Sequence, residues 1–292
     1  MLSLLRWLSR RPLWLLHLAG GALGWFTFLV APAYRRRFIA NARQAGVPAR
    51  AWRPAVAQAG RLLMELPLLW LRPAGVPLQP AVAWDNAPLI TEALARGRGV
   101  VFLTPHMGSF EVTAQAFAER FAPEFGPITV LYRPARKAWV RRAMDASRTR
   151  ANLATAPASL AGVRQMLRAL KRGEAIGLLP DQVPPEGLGV WVPFFGRPAY
   201  TMTLAARLVQ QTGAVPLLAW GERLARGAGF VVHVEAFGEA LPRGGSGGDQ
   251  AESATAVNRA MERLILQRPQ QYLWGYQRYK SPRSSGSSSS PG

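Results

Sequence analysis

An α/β domain behind an N-terminal membrane anchor is the fold class this sequence predicts. Three observations carry that expectation. Short apolar runs alternate with stretches of helical periodicity between residues 89 and 267. An apolar segment, residues 12–34, stands between Arg11 and Arg35 with His17 as its one side chain that charges near neutral pH. The chain has 292 residues, 49% of them hydrophobic, enough to bury one sizeable core, and no internal repeat divides it.

The anchor comes first. It is rich in Leu, Trp and Phe and long enough to cross a bilayer, which takes ~20 residues. Pro32-Ala33-Tyr34 is a poor cleavage site, so a retained anchor is expected rather than a signal peptide. Arginines 6, 10 and 11 precede the segment and arginines 35, 36 and 37 follow it, so the positive-inside rule selects no direction. A helix lying in one leaflet would satisfy both basic flanks. Gly20, Gly21 and Gly24 weaken a free-standing span and leave a buried core helix as the alternative.

A basic, helical stretch over residues 34–53 ends near Pro54, and a second helix is expected over residues 55–71 with a kink at Pro67. Residues 72–80 are proline-rich and form a connector. In the core, helices are expected at 89–96, 109–121, 138–148, 160–172, 201–211 and 251–267. Strands are expected at 100–104, 128–132, 176–179, 215–220 and 230–236. The Gly/Ser-rich loop 242–249 and tail 281–292 should carry little order. The domain organisation is thus an anchor at 1–34, a catalytic domain at 35–280 and a disordered tail at 281–292.

Chemistry concentrates at one junction. In Val100-Val101-Phe102-Leu103-Thr104-Pro105-His106-Met107-Gly108-Ser109-Phe110-Glu111 a strand delivers a histidine to a loop, and a glutamate follows five positions later on a helix. A neutral imidazole takes a proton from an alcohol, and a carboxylate on its other nitrogen fixes the tautomer. His106 and Glu111 are the candidate base and orienter. Chance produces this spacing often, a polar loop histidine beside a helix-capping acid being the plain alternative. Context favours His106, because His17 lies in an apolar run and His233 in an alternating strand. Strand ends are where α/β sites collect, and Asp181 falls at the end of another expected strand.

Composition removes several classes. With no cysteine there is no disulfide, thiol nucleophile or zinc–cysteine site. Three scattered histidines argue against a metal, and neither metal nor cofactor is expected. The net charge of +20 favours anionic partners, and of 36 basic residues only Lys137, Lys171 and Lys280 are lysine. The serines lack a Gly-x-Ser-x-Gly elbow of the kind that presents a serine nucleophile.

Four blocks in order carry a resemblance. They are His106 to Glu111; Leu131-Tyr132-Arg133-Pro134; Leu179-Pro180-Asp181-Gln182 with Val192-Pro193-Phe194-Phe195-Gly196-Arg197-Pro198-Ala199; and Gln271-Tyr272-Leu273-Trp274 followed by Arg278 and Lys280. Together they resemble the bacterial lipid A late acyltransferases, the lauroyl/myristoyl transferases of the wider His-x4-acid acyltransferase group. The resemblance implies a glycerolipid-acyltransferase-like mixed sheet flanked by helices. It also implies an O-acyltransferase at the bacterial inner membrane, catalytic domain on the cytoplasmic side. The donor would be an acyl carrier protein thioester and the acceptor an anionic lipid, a lipid A precursor, with no nucleic acid involved.

On that resemblance Arg150, or Arg148 two positions earlier, matches a functional arginine upstream of the Asp-Gln block and would bind substrate phosphate. Arg197 is a further phosphate-binding candidate. Asp181 would pair an arginine or orient the acceptor, with a buried structural ion pair as the rival reading. Phe194 and Phe195 are divided between core and the wall of an acyl channel, and the amides of Gly108 and Ser109 are expected as oxyanion donors. Tyr272-Leu273-Trp274-Gly275-Tyr276-Gln277-Arg278 lacks the His-Arg pair usual after the tryptophan, and Val183 follows Gln182 where an acid is common. These departures bear on the acceptor, leaving another glycolipid or an amino-acid-containing lipid open. Two other classes stand beside the transferase: a membrane-associated thioesterase or lipid hydrolase using the same pair on water, and a non-catalytic basic binder of anionic lipid or nucleic acid.

Overall fold

Few β-branched residues occur in the first 70 positions, and the chain there is helical. The structure is a computed structural model that describes residues 2–73, 75–132, 150–242 and 247–282. Helix α1 (Leu2–Leu8) leads to α2 (Leu13–Val30), α3 (Pro32–Gln44) and α4 (Ala49–Trp70). Pro32 opens α3 at a position where its missing N–H costs nothing. The break expected near Pro54 comes earlier, where Gly46 takes a φ of +68° and Pro48 precedes α4. Pro54 and Pro67 both lie inside α4.

Helices α2 and α4 run antiparallel in close contact. A Cβ on Gly24 would fall 2.2 Å from the Val56 carbonyl oxygen, and one on Gly60 would fall 2.0 Å from that of Gly20. The glycines that weaken α2 as an isolated helix are thus its packing surface. Phe28 of α2 packs edge-on against Phe38 of α3, ring centroids 5.5 Å apart, and both belong to one buried cluster with Val101, Leu178 and Trp274 of the core. The N-terminal segment therefore shares its interior with the sheet region.

The core contains β1 (Ala83–Asp85), α5 (Pro88–Ala95), β2 (Val100–Leu103), α6 (Phe110–Arg120), α7 (Ala122–Phe125), β3 (Ile128–Tyr132) and β4 (Leu153–Pro157). Then follow α8 (Leu160–Lys171), β5 (Ala175–Leu178), β6 (Gly189–Phe194), β7 (Arg197–Met202), α9 (Leu204–Thr212), β8 (Val215–Arg223), β9 (Phe230–Ala236) and α10 (Gly247–Gln267). Seven strands form one sheet in the order β1-β9-β8-β2-β5-β3-β4, parallel except where β8 meets β9. This is the mixed sheet flanked by helices that the resemblance implied. Strands β2 and β5 at its centre are buried along their whole length, as expected of a parallel sheet covered on both faces.

Several elements depart from expectation. Strands β1 and β4, which were not expected, lie at the two edges of the sheet, where a weak apolar pattern suffices. Thr201 does not open a helix: it sits buried in β7, and α9 starts at Leu204. The reason is a two-residue hairpin turn at Phe195-Gly196, with φ of +48° and +73°, which pairs β6 with β7. The helix expected at 138–148 lies outside the described residues, as does most of the tail expected to be disordered; α10 begins at Gly247, inside the expected 242–249 loop.

Candidate active site

Strands β2 and β5 are adjacent and parallel, with Leu103 paired to Leu178, and the Thr104 N–H donates to the Leu178 carbonyl at 3.0 Å. Each strand then continues through one residue and a proline into an ionisable group: Thr104-Pro105-His106 from one and Leu179-Pro180-Asp181 from the other. The register brings the two side chains together. His106 Nδ1 lies 2.6 Å from Asp181 Oδ1, and the His106 backbone N–H donates to Oδ2 at 2.9 Å.

Asp181 is buried, and burial by itself raises a carboxyl pKa. The charge of His106, its two hydrogen bonds and the nearby Arg278 guanidinium outweigh burial and hold it below the usual carboxylate range. An ionised carboxylate only accepts, so the proton between the two groups sits on Nδ1, and a neutral ring would present the lone pair of Nε2. Asp181, expected to pair an arginine or orient an acceptor, is the residue that holds the imidazole; Glu111 was expected in that role. Glu111 lies in the first turn of α6, lines the same cavity as His106, and accepts a hydrogen bond from Trp70 Nε1 at 3.2 Å.

The C-terminal block closes over this junction. Gly108 takes a φ of +59°, and a Cβ there would lie 1.9 Å from the Gly221 carbonyl oxygen, so only glycine fits. The Gly108 N–H donates to the Gln271 carbonyl at 2.9 Å and the Ser109 N–H to the Gly221 carbonyl at 2.8 Å. These two amides, expected as oxyanion donors, are committed to holding the loop. Tyr272 is buried close to Asp181, and its hydroxyl pKa is raised well above the usual value, by burial first and then by that carboxylate. Arg278 is buried and donates to the Tyr200 carbonyl at 2.7 Å and to Thr201 Oγ1 at 2.6 Å, its guanidinium lying over the Phe194 ring.

A cavity of about 220 Å³ opens from this dyad between α6 and the sheet. Thr104, His106 and Glu111 line it, and Phe102, Phe117, Val130, Ala219 and Val232 give it an apolar wall. Phe194 and Phe195 are not part of that lining: they pack on each other with centroids 4.7 Å apart, and Phe195 on Trp274. The cavity lies between α6 and the strands, away from both of these rings.

All three histidines contact carboxylates. His17 Nε2 is 2.6 Å from Glu65 in the buried α2–α4 interface, and His233 lies between Asp85 and Glu222. Only His106 also lines the cavity, and that distinguishes it. Among the described residues no group of three or more His, Cys, Asp or Glu converges as a metal set would.

The predicted arginines separate. Arg150 donates from Nη2 to the carbonyls of Leu69 at 2.8 Å and Arg72 at 3.1 Å, at the C-terminal end of α4. Burial and the neighbouring Arg72 charge push its pKa down to about 10. Arg197 opens β7 and stacks over the Tyr279 ring at 4.6 Å. Arg148 lies outside the described residues. Neither Arg150 nor Arg197 lines the cavity.

Residues 37–281 match the family described as bacterial lipid A biosynthesis acyltransferase. The chain belongs to that family. Among curated relatives it is 26% identical over 193 residues to a lipid A biosynthesis palmitoleoyltransferase of Escherichia coli K12, covering 66% of this chain and 59% of the relative. A lipid A biosynthesis acyltransferase of Shigella flexneri matches to the same extent. A lipid A biosynthesis lauroyltransferase of Escherichia coli K12 is 26% identical over 227 residues, 76% of this chain and 69% of the relative. The family match covers both strand ends of the dyad and the closing block at Gln271–Arg278.

Sequence reasoning reached His106, Glu111 and Asp181 but missed that Asp181 holds the ring, and it missed Tyr272, Trp70 and Arg278 as neighbours of the site. One signal was available. An apolar run of four, one further residue, a proline and an ionisable group occurs twice, at Val100–His106 and Ala175–Asp181. Two strands of equal outline ending alike are candidates for adjacent positions in a parallel sheet.

Proposed function

We propose that this protein is an O-acyltransferase moving a fatty acyl chain from an acyl carrier protein thioester to a hydroxyl of an anionic lipid acceptor, a lipid A precursor. The observation that supports it most is a carboxylate-held imidazole opening onto an apolar cavity. The acceptor hydroxyl gives its proton to His106 Nε2 as its oxygen attacks the thioester carbon. The C–S bond then breaks, and the departing thiolate takes the proton back. Asp181 keeps the tautomer and stabilises the imidazolium, and Glu111 adds negative charge on the cavity wall. Positioned general-base catalysis of this kind contributes roughly 10²–10⁴-fold.

The N-terminal partial positive charge of α6, which begins at Phe110 beside the imidazole, faces the oxyanion in place of the Gly108 and Ser109 amides. The fatty chain occupies the cavity between α6 and the sheet. Arg150 and Arg197 lie outside that lining, where they serve the charged part of the acceptor. A net charge of +20 favours an acidic carrier protein and an anionic lipid surface. The protein works at the cytoplasmic side of the bacterial inner membrane.

The test is a purified-component assay with acyl carrier protein thioester and lipid A precursor, following product by mass. His106→Ala and Glu111→Ala should each abolish transfer while the variants keep a native circular dichroism spectrum. Release of free fatty acid at the same rate with and without acceptor would replace the transferase with a thioesterase or hydrolase.

A further inference from the structure

Helix α2 is apolar all round, and only half of it is covered by protein. Leu13, Leu16, His17, Gly20, Gly21, Gly24 and Phe28 form a buried inner face. On the outer face Trp14, Leu18, Phe26 and Leu29 recur at helical spacing and are 55–65% exposed. An aqueous surface of that kind is unfavourable, so something apolar covers it.

The same helix is held to the catalytic region along its whole length. At its amino end the backbone of Trp14 packs against Gly227, in the turn between β8 and β9, where an added Cβ would lie 2.3 Å from the Trp14 nitrogen. In the middle, His17 joins Glu65 of α4, which pairs with Arg223 at the end of β8. Arg223 reaches on to the Gly108 carbonyl at 3.0 Å, two residues from His106. At the carboxyl end Phe28 packs on Phe38 and Trp52. If α2 crossed a bilayer, α4 with Arg53, Arg61 and Glu65 and the end of β8 would have to enter with it. Burying that charge in hydrocarbon is far costlier than leaving one helix face against lipid.

We propose that α2 lies in the plane of a single leaflet of an anionic bilayer, outer face among the acyl chains, and does not cross it. The charges fit. Arg6, Arg10, Arg35 and Arg36 flank the two ends of the helix, at headgroup level when it lies flat. Arg6 and Arg10 also line a groove of about 390 Å³ with Arg72, and no acidic side chain is in that lining. Through Glu65 and Arg223 the lipid-facing helix is tied to the loop that carries His106.

This inference stands apart from the assignment of acyl transfer, and its test reads topology rather than activity. The chain has no cysteine, so single cysteines can be placed at Ser9→Cys and Ala33→Cys, on either side of α2, in the full-length protein. Spheroplasts and inverted inner-membrane vesicles are each treated with a membrane-impermeant maleimide. Both positions should react in the same preparation; reaction of one from each side would overturn the proposal. A second arm uses the purified protein with phosphatidylglycerol or phosphatidylcholine vesicles. Leu18→Asp with Phe26→Asp should weaken cosedimentation with phosphatidylglycerol vesicles at least tenfold at an unchanged melting temperature. Undiminished binding by that variant, or equal binding of the parent to both lipids, would overturn it.

Discussion

Nδ1 of His106 and Oδ1 of Asp181 meet at 2.6 Å because Leu103 and Leu178 are register partners on adjacent parallel strands and each ionisable residue follows three positions later. A shift of one residue between β2 and β5 would turn the two side chains to opposite faces. The dyad is a property of the register and is as rigid as the pairing of the two strands.

Asp181→Asn should leave the shape of the site and remove the acceptor that keeps the proton on Nδ1. The turnover number for acyl transfer is expected to fall by roughly 10²–10⁴-fold while KM for the thioester changes little. Steady-state kinetics on a variant with native circular dichroism would check this, and near-parental turnover would remove Asp181 from the mechanism.

Glu65→Gln tests the buried link between α2, α4 and β8. Burial raises the Glu65 pKa, but Arg223 and His17, by charge and hydrogen bonding, reverse this and leave it below the usual range. A carboxyl whose folded pKa is depressed stabilises the fold above its unfolded value, and that contribution is lost as pH falls through the folded value. The variant, leaving Arg223 buried with half its partner, should lose about 3–5 kcal/mol near neutrality. The gap in melting temperature to the parent should then narrow below the ordinary carboxylate value of about 4.3. A gap independent of pH would mean the pair is not what stabilises the junction.

Gly60→Ala puts a methyl group 2.0 Å from the Gly20 carbonyl oxygen and 2.5 Å from the Gly24 nitrogen, both backbone atoms that move only if the helices part. A loss of about 1–3 kcal/mol is expected from overpacking, read by denaturant unfolding. Gly46→Ala, at a position with open space around it but a φ of +68°, should cost less.

Ala219→Leu narrows the cavity from the sheet side. The expected outcome is a shift of preference towards shorter acyl thioesters in a competition assay, with His106 chemistry intact on the shortest donor. Unchanged chain-length preference would place the fatty chain elsewhere.

Much of this was legible in the chain itself. Periodicity sufficed for the α/β class and the long helices, because a buried parallel strand such as Val100–Leu103 is continuously apolar and an amphipathic helix such as Leu160–Lys171 is not. The residue types at the site were visible too, since His106 is the one histidine at a strand-to-helix junction. The hairpin at Phe195-Gly196 was hidden, because Phe195 in the left-handed region is set by packing rather than by a turn residue. What the tertiary structure alone decided was pairing: which carboxylate meets His106, which amides are already spent on the loop, and that the three glycines of α2 are a contact surface. Hydrophobic pattern is a property of neighbours along the chain and survives in the sequence. Register, helix contact and cavity shape depend on residues tens of positions apart, and they exist only once the chain has packed.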